Sequence, residues 1–192
     1  MTQASVLRAI LILWSAIFVI WAIASFWAKR TMASAPSEWK SRLAVLAVWF
    51  SWWLALRQGK WPGLWAMRFV PEGLPTSYTG LALTILGLGF ALWARFSIGN
   101  NWDGMVVLKE HHKLVRTGPY SIVRHPIYSG FMVATLGTAV AQGETGRLLA
   151  VPVIVIAWGY KARVEEAFLT ERFGQQYAQY RREVKALIPA VW

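Results

Sequence analysis

No cysteine occurs anywhere in the 192 residues. Disulfides, thiolate-held metals and cysteine nucleophiles are therefore excluded. Acidic side chains are scarce, nine against twenty Lys and Arg, and histidine occurs only three times. No H-E-x-x-H or comparable ligand spacing is present. Adjacent His111 and His112 point in different directions in any regular structure, so no metal is expected. The serines near His125 lack a G-x-S-x-G elbow, which removes the usual signature of a hydrolytic triad. Internal repeats and low-complexity segments are missing too.

Apolar and aromatic residues fill the chain instead. Hydrophobic residues make up 56% of it, thirteen are Trp, and the mean hydropathy is +0.40. This composition suits a compact polytopic membrane protein, with Trp favouring the headgroup level. A formal charge of +11 would suggest nucleic acid in a soluble chain. Basic loops facing anionic lipid account for it here, so membrane lipids are expected as partners and nucleic acid is not.

A bilayer span needs roughly 20 apolar residues, and five segments approach that length: Ser5–Ala28, Trp39–Leu56, Tyr78–Phe96, Ile127–Ala141 and Leu148–Tyr160. The first outruns a signal-peptide core and is followed by Lys29 and Arg30. It reads as a retained span despite the small residues Ala33-Ser34-Ala35. The last two are joined only by "QGETGR" (142–147) and form a tight hairpin, the fifth helix continuing beyond Tyr160. Loop 1, loop 3 and the tail hold fifteen of the twenty Lys and Arg, which puts them in the cytoplasm. Loop 2, "RQGKWPGLWAMRFVPEGLPTS", is expected along the outer interface. In the tail, Leu169, Phe173, Tyr177, Tyr180, Val184 and Leu187 line one face of an amphipathic helix broken near Gly174. The expected fold is all-α and polytopic, with about five transmembrane helices in one domain, 1–192. Residues 1–77 form an N-terminal two-span region and 78–192 a core.

Polar groups gather at one end of that core. Arg95, Asn100, Asn101, Asp103, Glu110, Arg116, all three histidines and Arg124 fall in or beside loop 3, and Glu165-Glu166 follow the fifth span. In "GPYSIVRHPIYSG" (118–130), Pro126 biases His125 towards extended backbone and suits the first turn of a helix. A helix starting there turns its N-terminus, favourable to a carboxylate, towards the loop, with Arg124 beside it. The plainer alternative is that Arg124 and His125 cap the span and snorkel to headgroups. Glu165 and Glu166 form either a solvated helix face with a Lys161–Glu165 pair or carboxylates closing over loop 3 to hold a ligand.

"HKLVRTGPYSIVRHPIYSG" followed by "EEAFLTERFGQQYAQYRREVKALIP" resembles the isoprenylcysteine carboxyl methyltransferases and their microbial relatives, from about Arg95 to Pro189. The resemblance implies that 78–192 is a cofactor-binding catalytic core using S-adenosylmethionine. It assigns cofactor contacts to His112, Leu114, Val115, Tyr120, His125, Pro126, Tyr128 and Glu165. Lys161 stands where the family has a substrate-binding Arg, with Arg163 two residues later, and Arg95 best represents an earlier family Arg. Phospholipid N-methyltransferases carry a similar Arg-His-Pro and Glu-Glu pattern, and related motifs end the membrane sterol reductases, which bind a nicotinamide cofactor.

Methyl transfer from a sulfonium is an in-line displacement that needs chiefly proximity and orientation. A carboxylate acceptor is ionised at neutral pH and needs a cation to place it, whereas an amine must lose a proton to a base. The Arg and Lys residues beside the Glu pair favour a carboxylate on a lipid-like or prenylated substrate. Arg95 or Arg163 are the expected catalytic clamps and Lys161 and Arg163 the expected substrate contacts. The competing readings are a phospholipid or other amine N-methyltransferase, a non-catalytic membrane scaffold and an NADPH-dependent reductase. Oligomeric state is not encoded legibly.

Overall fold

The computed structural model of the chain describes residues 2–25, 31–34, 38–57, 59, 61–99, 107–109 and 114–189. Helices dominate: α1 Gln3–Ser25, α2 Glu38–Leu56, α3 Leu74–Ile98, α4 Pro126–Gln142, the single turn α5 Thr145–Leu148, α6 Ala150–Phe173 and α7 Gln175–Glu183. Over its described residues each expected apolar segment is helical, the fifth starting in α5 and continuing in α6; residues 26–28 of the first lie outside the described residues. Strands β1 Thr31–Ser34 and β2 Val107–Lys109 pair antiparallel and tie the segment after α1 to the one after α3. The all-α expectation omits this ribbon, because such short strands carry too little alternation to read.

Local sequence sets the helix ends. Pro126 is the first residue of α4, where its missing N–H costs nothing. At the other end Gly143 adopts the left-handed conformation (φ 77°) and donates its N–H to the Ala139 carbonyl, a stop that glycine makes without steric cost. Gly174 (φ 52°) separates α6 from α7, at the break expected in the tail. As expected too, α6 runs past Tyr160 to Phe173.

The α3–α4 interface is the closest in the bundle. Gly80 and Gly87 of α3 meet Gly130 and Gly137 of α4 so tightly that a Cβ on Gly87 would stand 2.5 Å from both Ala134 N and Gly130 O. Between helices surrounded by lipid, such small residues give backbone contact and dispersion where hydrophobic driving force is weak. Hydroxyls there bond internally: Thr84 to the Gly80 carbonyl and Thr138 to that of Ala134, each at 2.9 Å. The Trp14 indole donates to Thr138 Oγ1 at 3.0 Å and brings in α1, while Ser51 of α2 donates to the Ala150 carbonyl of α6 at 2.7 Å. An aromatic core of Trp14, Trp52 and Phe131 fills the centre.

Large apolar side chains also face outward, among them Leu86 (67% exposed) and Ile156 (71%), as a lipid-facing surface requires and a water-facing one does not. Among the described residues, two segments are long and apolar enough to cross a bilayer, Gln3–Ala24 and Leu74–Ile98, with Arg42–Leu56 a shorter apolar helix. Gly143, Glu144 and α5 carry the chain from α4 to α6, which pack on each other. Loop 2 packs against this turn. Phe69 N–H donates to the Gly143 carbonyl (3.0 Å), Thr145 N–H to that of Met67 (2.8 Å) and Arg68 Nη1 to that of Gln142 (3.1 Å).

Gly87→Leu is expected to lower thermal stability in detergent by roughly 1–3 kcal/mol, since backbone rather than a flexible side chain blocks the added atoms. Gly89→Leu, on the same helix with nothing within 4 Å of its Cβ position, should melt at or slightly above the wild-type temperature.

Candidate functional site

Three segments converge at the end of the bundle where the sequence concentrates polar groups. The start of α4 presents Arg124, His125 and Tyr128. The extension of α6 brings Lys161, Glu165 and Glu166 alongside. A strap after α7 closes the third side: Arg124 N–H donates to the Lys185 carbonyl (2.8 Å), His125 N–H to that of Ala186 (3.0 Å) and Ser129 Oγ to that of Leu187 (2.6 Å). The His-Pro step supplies the turn. His125 is non-helical (φ −122°, ψ 61°), and its side chain stands at the mouth of the helix Pro126 begins.

The side chains form one network. Lys161 Nζ donates to Tyr128 Oη (2.9 Å) and Glu165 Oε1 (2.6 Å), and the Tyr128 hydroxyl donates to that same carboxylate oxygen. His125 bridges both acids, with Nδ1 3.3 Å from Glu165 Oε2 and Nε2 3.2 Å from Glu166 Oε1. Arg124 grips Glu166 Oε1 through Nε at 2.8 Å and Nη2 at 2.5 Å, and Arg181 Nε lies 3.5 Å from Oε2. The Tyr128 ring is stacked parallel to Trp158 at 4.1 Å between centroids and to His125 at 5.3 Å. The Lys161 side chain is only 2% exposed and that of His125 6%.

These contacts set the protonation states. Burial by itself would lower the His125 pKa, but hydrogen bonds and charge from Glu165 and Glu166 outweigh it, and the pKa is raised. Geometry agrees, because only an imidazolium donates from both ring nitrogens. Burial would raise Glu165; Lys161 and then His125 more than offset this and hold it down at about 2. Glu166 is likewise lowered, with His125 and Arg124 overcoming burial. Tyr120 is raised, by burial first and then by Glu165 and Tyr180, against the opposing charge of Arg95. The network thus sets four basic side chains (Arg124, His125, Lys161 and Arg181) around two carboxylates.

The structure gathers most of the expected site residues. Tyr120, His125, Pro126, Tyr128, Lys161 and Glu165 meet at this end of the bundle. Leu114, Val115 and Tyr120 line a small cavity of about 70 Å³ closed by Leu169, Tyr177 and Tyr180. His112 lies outside the described residues. Arg95 is within electrostatic reach of Tyr120, but its Nη1 and Nη2 donate to the carbonyls of Gly99 (2.8 Å) and Ala24 (2.9 Å), joining the end of α3 to α1. Arg163 stands apart. Two residues along a helix is a rotation of about 200°, so it turns away from the Lys161 face and lines a second pocket with Arg124, Glu166, Arg181 and Lys185. Arg95 and Arg163 thus make their described contacts away from Glu165. Lys161 is the cation beside Glu165.

Sequence reasoning missed Trp158, which precedes Lys161 and Glu165 by three and seven residues on the same helical face. That spacing was the available signal. Its indole Nε1 is buried with no partner among the described residues. Also missed was Tyr180, whose hydroxyl donates to the Tyr120 carbonyl at 2.5 Å. No local pattern announces that contact.

Residues 75–176 match the phospholipid methyltransferase family model. The chain is 35% identical over 117 residues to protein-S-isoprenylcysteine O-methyltransferase B of Arabidopsis thaliana, covering 58% of each chain. It is 36% identical over 119 residues to the protein-S-isoprenylcysteine O-methyltransferase of Schizosaccharomyces pombe, covering 59% of this chain and 50% of that one. The chain thus spans between 50% and 58% of the length of these curated relatives. Among solved structures it resembles the eukaryotic intramembrane Ras methyltransferase ICMT (isoprenylcysteine carboxyl methyltransferase), with a TM-score of 0.52 and 25% identity over 83% of this chain and 55% of that one.

Because the folded pKa of His125 is raised, its contribution to stability is complete below its ordinary value of 6.5 and is lost as pH rises through the folded value. The melting-temperature gap between wild type and His125→Gln should therefore be widest on the acid side and narrow as pH rises through the folded value. A gap that widens with pH would contradict the imidazolium bridge. Glu165→Gln leaves the Lys161 ammonium buried and should cost roughly 3–5 kcal/mol.

Proposed function

The chain belongs to the phospholipid methyltransferase family, and on that premise we propose that it transfers a methyl group from S-adenosylmethionine to the carboxylate of an isoprenylcysteine-type lipid at the membrane surface. The observation that carries this reading is the Tyr128–Lys161–Glu165–His125 network, all four members of which fall within residues 75–176, the stretch that matches the family model. The five apolar helical segments are read as spans, with the site at their cytoplasmic end, where fifteen of the twenty Lys and Arg fall.

The residues fit the donor. S-adenosylmethionine, when bound, supplies a methyl group on a positively charged sulfonium. Tyr120 offers a ring to that cation, and Glu165 suits an amino group or ribose hydroxyls. Among the described residues the buried Trp158 N–H beside Tyr128 has no acceptor, so a bound ligand could supply one. The proposed contacts are His112, Leu114, Val115, Tyr120, His125, Pro126, Tyr128 and Glu165.

The chain's own groups then act by placement. Lys161 uses two of its three N–H bonds on Tyr128 and Glu165, leaving one to draw in and orient an acceptor carboxylate oxygen. Buried walls strip water from that oxygen. Arg95 anchors α3 to α1 at the edge of the site. An amine acceptor would require a base, and in this network both carboxylates are held by cations with lowered pKa values while His125 is raised. None of these groups is an idle base, which supports a carboxylate acceptor. The family description itself favours the second reading, an amine-bearing phospholipid acceptor.

Calorimetric titration of detergent-purified protein with S-adenosylhomocysteine should give saturable binding and none with NADPH. Binding of NADPH alone would transfer the chain to the reductase reading. With labelled donor, a farnesylcysteine derivative should be methylated and phosphatidylethanolamine not; the reverse result selects the amine reading. Lys161→Met is expected to cut turnover of the carboxylate substrate roughly 100-fold while S-adenosylhomocysteine binding persists.

A further inference from the structure

The face of α6 that carries Arg163 has a use that methyl transfer leaves unexplained. Val151, Val155, Gly159 and Arg163 recur every four residues and so form one stripe. The Val151 and Val155 end borders an apolar groove of about 420 Å³, walled by Phe90, Leu136 and the strap residues Leu187 and Ile188. The Gly159 and Arg163 end borders a polar pocket of about 340 Å³ lined by Arg124, Arg163, Glu166, Arg181 and Lys185. Leu187 is a wall of both, so groove and pocket are consecutive along α6.

Charge and depth define the occupant. Four cations face the pocket against the single carboxylate of Glu166, which Arg124 and Arg181 already share. Arg163 and Lys185 are exposed, and among the described residues their side chains have no hydrogen-bond or ion-pair partner. Val151 to Arg163 spans about 18 Å of helix, close to the roughly 15 Å of hydrocarbon in one leaflet. The cations thus stand at headgroup level above a groove at acyl-chain depth.

We infer that this face binds one anionic membrane phospholipid, with its phosphate against Arg163 and Lys185 and an acyl chain along Val151 and Val155. Arg163 and Lys185 lie on the other side of α6 from Lys161, the pocket shares Arg124, Glu166 and Arg181 with the charge network, and the inference does not rest on the methyl-transfer reading. It bears on the reacting groups through the strap, since Leu187 walls the lipid site while the Lys185 and Ala186 carbonyls hold Arg124 and His125.

The test is a lipid titration of delipidated protein in neutral detergent, read by melting temperature. Phosphatidylglycerol should raise it saturably, and phosphatidylcholine and inorganic phosphate should not. In the double variant Arg163→Gln/Lys185→Gln the phosphatidylglycerol midpoint should weaken roughly tenfold or more, and Val155→Trp, which fills the groove, should do the same. The double variant alters exposed side chains and should fold normally, with S-adenosylhomocysteine affinity within about twofold of wild type. Failure of the lipid arm with that affinity intact therefore sinks this inference alone. Equal shifts with both lipids, a full response to phosphate alone, or an unchanged midpoint in the double variant would overturn it.

Discussion

Two adjacent carboxylates at the end of an apolar bundle have to be neutralised where they stand. An isolated ion there costs several kcal/mol in lost hydration, and only close partners and hydrogen bonds offset that. Glu165 obtains Lys161, Tyr128 and His125, while Glu166 obtains His125, Arg124 and Arg181. Those partners come from the turn that leads into α4 and from α4, α6 and α7, and the strap carbonyls fix Arg124 and His125 in turn. The geometry of three segments thus depends on one pair of acids. His125 is the link, because among the described residues it alone touches both.

The bundle can hold that network because α3 and α4 cannot slide. Gly80, Gly87, Gly130 and Gly137 bring the two backbones to a separation that any side chain would forbid. A fixed α4 fixes the ring stack that begins at its mouth, from His125 through Tyr128 to Trp158 on α6. Rotation of Tyr128 would break the stack and remove its hydroxyl from Lys161 and Glu165 together. Packing in the apolar interior and hydrogen bonding at its polar end therefore specify the same arrangement, which is the consistency expected of a folded sequence.

Fixed charge rather than a titrating base is what this arrangement offers to chemistry. His125 is raised and both acids are lowered, so each group is shifted towards its ionised form. Such a site can orient an anion, screen it from water and hold a cationic donor nearby, all of which in-line transfer requires. The cation-rich pocket on the opposite face of α6 follows the same logic, since one helix presents Lys161 inward and Arg163 outward only two residues apart.

Much of this arrangement is legible in the sequence. Apolar runs locate the helices, Pro126 marks the start of α4, Gly174 marks the break in the tail, and the Lys161–Glu165 spacing marks a helical pair. All are local properties, set by backbone sterics and a 3.6-residue period that neighbouring residues share. The β1–β2 ribbon, the strap across Arg124 and His125, and the division of labour between Lys161 and Arg163 are not legible there. Each depends on which segments meet after long stretches of intervening chain, and residues of the same charge are equivalent in sequence until packing turns one inward. The sequence by itself determined the helices and the inventory of charged groups at one end. The tertiary structure decided which carboxylate each cation serves, because burial leaves room for only one set of pairings.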